Sequence, residues 1–170
     1  PLRRWIHPPE RILTEFVRPG DTVLEPGCGQ GYFTMALARL AGPTGQIVAV
    51  DLQERMLAGL RRRAARHGLS ERIKPTLCGP DRMGVAGPVD FALGFWMVHE
   101  VDDRKGFLGE VRDALRPGGR FLVVEPRVHV SRSNFERTLA IARELGFGIE
   151  PGPDVRLSRS AVLVKSAGEK

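Results

Sequence analysis

Cysteine is scarce in this chain. Its two residues, Cys28 and Cys78, make no CxxC pair and show no zinc-type spacing. That excludes a disulfide framework and leaves two small, semi-buried side chains in a reducing compartment. No metal site is expected. Long apolar runs are also missing: nothing approaches the roughly 20 apolar residues of a transmembrane helix, so no membrane insertion is expected. Arg3 and Arg4 are followed by no apolar stretch of the secretory kind, and a cytoplasmic location is the expectation. The first residue is Pro1, not Met, which leaves open that residues precede it. Internal repeats and low-complexity segments are absent.

What is present is an ordinary globular composition with a positive balance: 26 Lys and Arg against 20 Asp and Glu, a net charge of +6. Such an excess can mark a nucleic-acid partner. Here the arginines are mostly dispersed. The densest run, Arg61-Arg62-Arg63 with Arg66, falls on the outer face of a helix whose inner face reads as Met56, Leu60 and Ala64. A solvated helix face explains this run better than a nucleic-acid patch. With 170 residues the chain suits one domain. Its expected parts are an N-terminal arm and helix over 1–20, a ligand-binding core over 21–126, and a C-terminal helix with an edge hairpin over 127–170.

Short apolar runs alternate with amphipathic stretches. Pro8 and Pro9 open a helix carrying Ile12, Leu13, Phe16 and Val17, ended by Pro19-Gly20. Strands are expected at 22–25, 46–51, 73–78, 89–95 and 121–125. Helices are expected at 33–40, at 54–67 closed by Gly68, and from Asp102 or Asp103 to the stop at Pro117-Gly118-Gly119. The Gly- and Pro-rich connection over 80–88 has little room for a crossover helix. Ser133 and Glu136 have capping-box spacing, with Ser131 an equal candidate for the cap, before a helix that buries Phe135, Leu139 and Leu145. A weak strand over 148–157 and a clear one over 161–164 finish the chain.

Ile47-Val48-Ala49-Val50 and Phe121-Leu122-Val123-Val124 are apolar without alternation. They are strands buried on both faces, hence a parallel sheet covered by helices. The two late strands, with no helix between them, read as an antiparallel hairpin at one edge. The fold class is therefore α/β, a doubly wound, mostly parallel seven-stranded sheet with helices on both faces. Its ligand crevice is expected at the carboxyl ends of the strands.

The decisive segment is Val23-Leu24-Glu25-Pro26-Gly27-Cys28-Gly29-Gln30-Gly31. A strand enters a loop with glycine at alternate positions, where a ligand can lie against bare main chain, and a helix N-terminus follows. The spacing is GxGxG, not the GxGxxG of dinucleotide folds. Asp51 ends the second strand about twenty residues on, where an acid can accept hydrogen bonds from both ribose hydroxyls. Glu25 suits a ligand carrying an ammonium and would sit badly beside a pyrophosphate. An NAD-dependent dehydrogenase is disfavoured on both counts.

This segment resembles motif I of class I S-adenosylmethionine (SAM)-dependent methyltransferases. The resemblance continues through Asp51, Val89-Asp90-Phe91-Ala92-Leu93 and Leu115-Arg116-Pro117-Gly118-Gly119-Arg120-Phe121. It is nearest the UbiE-like, type 11 small-molecule branch, on a Rossmann-like fold. The resemblance implies SAM as cofactor and S-adenosylhomocysteine as product. It places Gly27, Gly29 and Gly31, with Pro26 and Cys28 between and beside them, against the methionine portion. It has Glu25 orient the amino group through the loop backbone or water, Asp51 hold the ribose and Leu52 flank the adenine. Asp81 would lie near the adenine amino group, although Cys78-Gly79-Pro80-Asp81 departs from the Gly-Asp-Ala common in the family. The backbone at Gly94 and Phe95 would close over the methionine end.

Methyl transfer needs mainly an aligned acceptor, with a base only where the acceptor loses a proton. His99, Glu100 and His129 follow the fourth and fifth strands and are the candidates for catalytic roles. His99 is favoured as base by its chemical type, with packing against the cofactor or a backbone carbonyl as the equal alternative. His7 and Trp5 are candidates to fold over the site. The loop between Glu125 and the helix near Ser133 is brief, where many relatives place a lid. The acceptor is therefore expected to be small, covered by the N-terminal arm, or presented by another protein. An RNA or protein substrate, or a non-catalytic SAM-binding module, is the alternative. Gly94-Phe95-Trp96-Met97 stands where base-amino methyltransferases carry an Asn/Asp-Pro-Pro-aromatic run. Monomer and homodimer are both compatible with the sequence.

Overall fold

A computed structural model describes residues 7–168. Seven strands make one mixed sheet, and the chain divides into two compact units, residues 1–80 and 81–170. The α/β class expected from the alternating pattern is the one observed.

The first unit holds helix α1 (Pro9–Leu13), strand β1 (Thr22–Pro26), helix α2 (Thr34–Leu40), strand β2 (Gln46–Asp51), helix α3 (Glu54–Arg66) and strand β3 (Ile73–Leu77). Its strand order is β3-β2-β1, all parallel. Val23, Leu24, Ile47, Val48, Ala49 and Val50 are all buried, as continuous apolar strands in a two-sided sheet must be. Helix α1 is shorter than expected, five residues, although Phe16 and Val17 beyond it are still buried. Helix α3 packs on β2 and β3 through Leu57, Gly59, Leu60 and Ala64. Leu57, not the expected Met56, carries that face, because Met56 is only half-buried. Burying a leucine contributes roughly 1.5–3 kcal/mol, so this row holds the helix while Arg61, Arg62 and Arg66 stay exposed. Gly68 follows with φ +64, a left-handed residue beyond the helix end.

The second unit holds strand β4 (Val89–Phe95), helix α4 (Arg104–Ala114), strand β5 (Leu115–Pro126), helix α5 (Arg132–Glu144) and strands β6 (Phe147–Pro151) and β7 (Ser158–Lys165). Its order is β4-β5-β7-β6. β4 and β5 are parallel, and β7 runs antiparallel to both β5 and β6, which gives the expected edge hairpin. Residues 78–88 form no helix or strand.

Two local expectations are corrected here, and one choice left open between alternative caps is made. The Pro117-Gly118-Gly119 stop does not separate α4 from β5: the strand begins at Leu115, directly after the helix. Its register with β4 jumps from Val89↔Leu115 to Phe91↔Arg120, so the extra residues are absorbed as a bulge. Second, the caps are Asp103 and Ser131, whose side chains accept from the N–H of Gly106 and Asn134. The Ser133 capping box is not formed. Third, α5 buries Phe135, Thr138, Leu139 and Ala142, while Leu145 is its half-buried C-cap, and β6 covers only the first part of the expected 148–157 strand.

Candidate active site

In the first unit the motif I loop leaves β1 at Pro26 and reaches α2 at Thr34. Gly27, Gly29 and Gly31 have φ of +65, +54 and +81, a region where a side chain is strained. Their environments differ. A Cβ on Gly31 would collide with Leu60 Cδ1, whereas one on Gly29 would meet nothing within 4 Å. Gly31 thus lies against the buried Leu60 side chain, and Gly29 leaves bare main chain with open space before it.

Asp51 ties this loop to the end of β2. Its Oδ2 accepts the Gly29 N–H at 2.9 Å, and its Oδ1 accepts the Gln53 N–H at 2.9 Å. The Cys28 N–H adds a bond to the Val50 carbonyl at 3.1 Å. Cys28 is buried, and burial, followed by the charges of Glu25 and Asp51, pushes its thiol far up, so it is inert as a nucleophile. Leu52 is 58% exposed next to Asp51, and Leu77, paired in register with Asp51, is 54% exposed. Leu77 was not singled out from the sequence. Only the strand pairing brings its apolar side chain to the same edge.

Glu25 is enclosed, not open to the loop surface. The Thr34 hydroxyl donates to its Oε2 at 2.5 Å. Burial pushes its carboxyl up to about 8; the Thr34 bond works against this and the Asp51 charge adds to it. At neutral pH Glu25 therefore carries a proton for much of the time.

In the second unit Gly94 is buried in β4. A Cβ there would lie 2.9 Å from Phe121 Cζ and 3.2 Å from Val98 Cγ2, so its lack of a side chain serves the packing of Phe121. Phe95 is half-buried and stacks on Trp96, with ring centroids 5.7 Å apart. Trp96 has φ +59, an uncommon conformation for a bulky residue and one that clusters at functional sites. Its N–H bonds Val124 O at 2.7 Å and its indole donates to Ser158 Oγ at 3.0 Å.

Just after β4 lies a 3₁₀ turn, Val98–Glu100. Glu125 at the end of β5 is buried and gathers this turn. It accepts the N–H of Val98 at 3.2 Å and of His99 at 3.0 Å, and its Oε2 lies 2.8 Å from His99 Nδ1. Burial pushes the Glu125 carboxyl up, while the His99 imidazole and the two N–H groups pull against that shift. His129 is exposed and lays its ring parallel to that of His99, 11° apart in plane, with centroids separated by 6.1 Å. His99 and His129 are therefore brought together as their topology suggested. Glu100 is exposed; the carboxylate on His99 is that of Glu125, which the sequence marked only as the end of the fifth strand. No spacing signal could have found it, since the pair is 26 residues apart.

Asp81 is exposed in the irregular segment before β4. His7 is buried, and its carbonyl accepts the Tyr32 hydroxyl at 2.9 Å. Trp5 and the rest of the first six residues of the expected arm lie outside the described residues. Among the described residues no group of His, Cys, Asp or Glu has the geometry to hold a metal, and no helix is long and apolar enough to cross a membrane.

Residues 18–146 match the methyltransferase domain family, and the chain belongs to that family. A demethylmenaquinone methyltransferase from Symbiobacterium thermophilum is 34% identical over 126 residues, covering 72% of this chain and 49% of that protein. The ubiquinone/menaquinone biosynthesis C-methyltransferase UbiE of Hahella chejuensis is 34% identical over 115 residues, covering 64% of this chain and 44% of that protein. The chain thus spans about half the length of the curated relatives it matches. A SAM-dependent methyltransferase structure from Aquifex aeolicus superposes with a TM-score of 0.85 at 23% identity, covering 96% of this chain and 92% of that one. That likeness establishes the Rossmann-like methyltransferase fold.

Proposed function

We propose that this chain binds SAM and transfers its methyl group to a small-molecule acceptor, as a single cytoplasmic domain. The observation that carries this reading is the motif I loop itself, with bare backbone at Gly29 fastened to Asp51. Asp51 fits the ribose: each of its oxygens takes one backbone N–H and has a further lone pair for a hydroxyl. Gly27, Gly29 and Gly31, shaped by Pro26 and Cys28, hold the methionine portion. Leu52, joined by Leu77, offers apolar surface to the adenine; the family resemblance alone assigns Asp81, Gly94 and Phe95 of the second unit to the cofactor. Glu25 acts on the ammonium through the loop, since its carboxyl is enclosed.

SAM supplies a methyl group already activated on a sulfonium, and the C–S bonding pair leaves with sulfur. What remains for the protein is to hold the acceptor and, where needed, to take its proton. His99 is the residue for that proton, and His129 lines the acceptor. The names of the relatives direct the first search towards quinone-like rings.

Titration calorimetry with SAM, S-adenosylhomocysteine and NAD tests the cofactor. Micromolar binding of the first two with none of NAD is expected, and comparable NAD binding sinks the assignment. Isotopically labelled SAM in cell extract, followed by mass spectrometry, then identifies the acceptor.

A further inference from the structure

The second unit contains a polar cluster more elaborate than a positioning scaffold needs. Glu125 is 2% exposed, and a buried carboxylate is costly unless it is satisfied. Here it is given two backbone N–H bonds and the Nδ1 atom of His99. The two N–H groups matter most, because they come from consecutive residues, Val98 and His99. They fix the 3₁₀ turn on Glu125, so the carboxylate orients the backbone that bears the imidazole as well as the imidazole itself. The His129 ring lies parallel to that of His99, with centroids 6.1 Å apart. Yet the His99 side chain keeps 19% of its surface exposed.

We propose that Glu125 is a positioning residue that fixes His99 in the Nδ1–H tautomer and leaves Nε2 as a ready proton acceptor, so that this enzyme's acceptor is one whose reacting O, N or acidified C atom carries a proton to lose. Both Glu125 oxygens already accept a backbone N–H, an arrangement made for an accepting carboxylate, and this puts the proton on Nδ1 and the lone pair on Nε2. The step balances locally. The proton of the acceptor's X–H bond passes to His99 Nε2, the bonding pair stays on X as the nucleophile, and the imidazole becomes cationic. That new charge is formed against the Glu125 carboxylate, 2.8 Å from Nδ1, which stabilises it. Two other titratable groups stand close: His129, whose parallel ring would oppose a second positive charge, and Glu100, exposed on the same turn. An acceptor with only a lone pair, such as a thioether or tertiary amine, would need none of this. The arrangement rests on the methyltransferase reading for its use, but its geometry does not depend on that reading.

The test is imidazole ¹⁵N NMR on the full chain at pH 8, alone and with S-adenosylhomocysteine. In the wild type, His99 is expected in one tautomer, protonated at Nδ1 and bare at Nε2. In Glu125→Gln one amide position becomes a donor facing backbone N–H groups and Nδ1. The expected result is loss of the fixed preference, with the Nε2–H form rising from unobserved to a substantial share. Glu125→Ala is the second variant and should give the same release. A wild-type His99 protonated at Nε2, or a tautomer unmoved by either substitution in a folded protein, overturns the proposal. Calorimetry with S-adenosylhomocysteine on the same samples keeps the two readings apart. If the ligand does not bind, the methyltransferase reading fails while the tautomer result stands. The labelled-SAM product gives the last arm: a methyl group in place of a hydrogen agrees, and an onium product overturns.

Discussion

The Gly29 N–H donates to Asp51 Oδ2 at 2.9 Å, across 22 residues of sequence. The acid expected to hold a ribose is therefore also the anchor of the glycine loop. With its other oxygen on the Gln53 N–H, Asp51 ties the loop to the turn after β2.

This changes what Asp51→Ala should do. Hydrogen bonds to a charged acceptor contribute about 1.5–3 kcal/mol each, and the substitution removes two within the protein as well as those to the ribose. Loss of SAM affinity beyond a hundredfold is expected, with faster amide exchange at Gly29 and Gln53 while the core remains protected. Calorimetry and hydrogen exchange read the two effects. An unchanged dissociation constant would place the ligand elsewhere.

Glu25 links pH to both stability and binding. In the folded chain its carboxyl keeps its proton until about pH 8, against 4.5 as the ordinary value. The folded state thus binds more protons between these limits. Its contribution is fully present below pH 4.5 and is lost as pH rises to 8, at up to about 1.4 kcal/mol per pH unit. Melting temperature should fall across that window, and Glu25→Gln should flatten the fall. A cationic ligand favours the ionised carboxylate, so SAM binding at pH 7 should release a proton. Calorimetry in buffers of different ionisation enthalpy measures it, and no release, or release persisting in Glu25→Gln, contradicts the linkage.

Gly94→Ala should destabilise the fold. The added methyl group would press on the fully buried Phe121 ring and on Val98, and overpacking of this kind costs about 1–3 kcal/mol. A melting temperature lower by several degrees is expected for a chain of this size. An unchanged melt would show that the ring has room to move.

The arginines of α3 should be dispensable for cofactor binding. Arg61 is paired with Glu54, and Arg61, Arg62 and Arg66 are exposed. Glutamine at 61, 62, 63 and 66 should leave the SAM dissociation constant within about twofold, since exposed ion pairs contribute little. Tight RNA binding at physiological salt that these changes abolish would favour a nucleic-acid substrate instead.

Local order explains how far the sequence could be read. Strand β2 and the later part of β5 were legible because the uninterrupted apolar runs over 47–50 and 121–124 have few other uses, and the Gly27-Cys28-Gly29-Gln30-Gly31 spacing marked the loop after β1. Where the reading slipped or stayed open, two local signals competed. Pro117-Gly118-Gly119 is turn chemistry, yet it lies within β5 because pairing with β4 accommodates the extra residues. Ser131 and Ser133 are both good caps, and only the path of the chain into α5 selects Ser131.

The sequence by itself determined the α/β class, the glycine loop after β1 and the family, because these rest on periodicity and on short motifs whose residues are neighbours. Tertiary structure alone decided that Asp51 fastens the loop, that Glu25 is enclosed and holds a proton, that Leu77 stands beside Asp51, and that Glu125, not Glu100, carries His99. Each depends on burial or on a contact between residues far apart in the chain. A carboxyl group's proton and a histidine's tautomer follow from what surrounds them in space, and that exists only once the strands are paired.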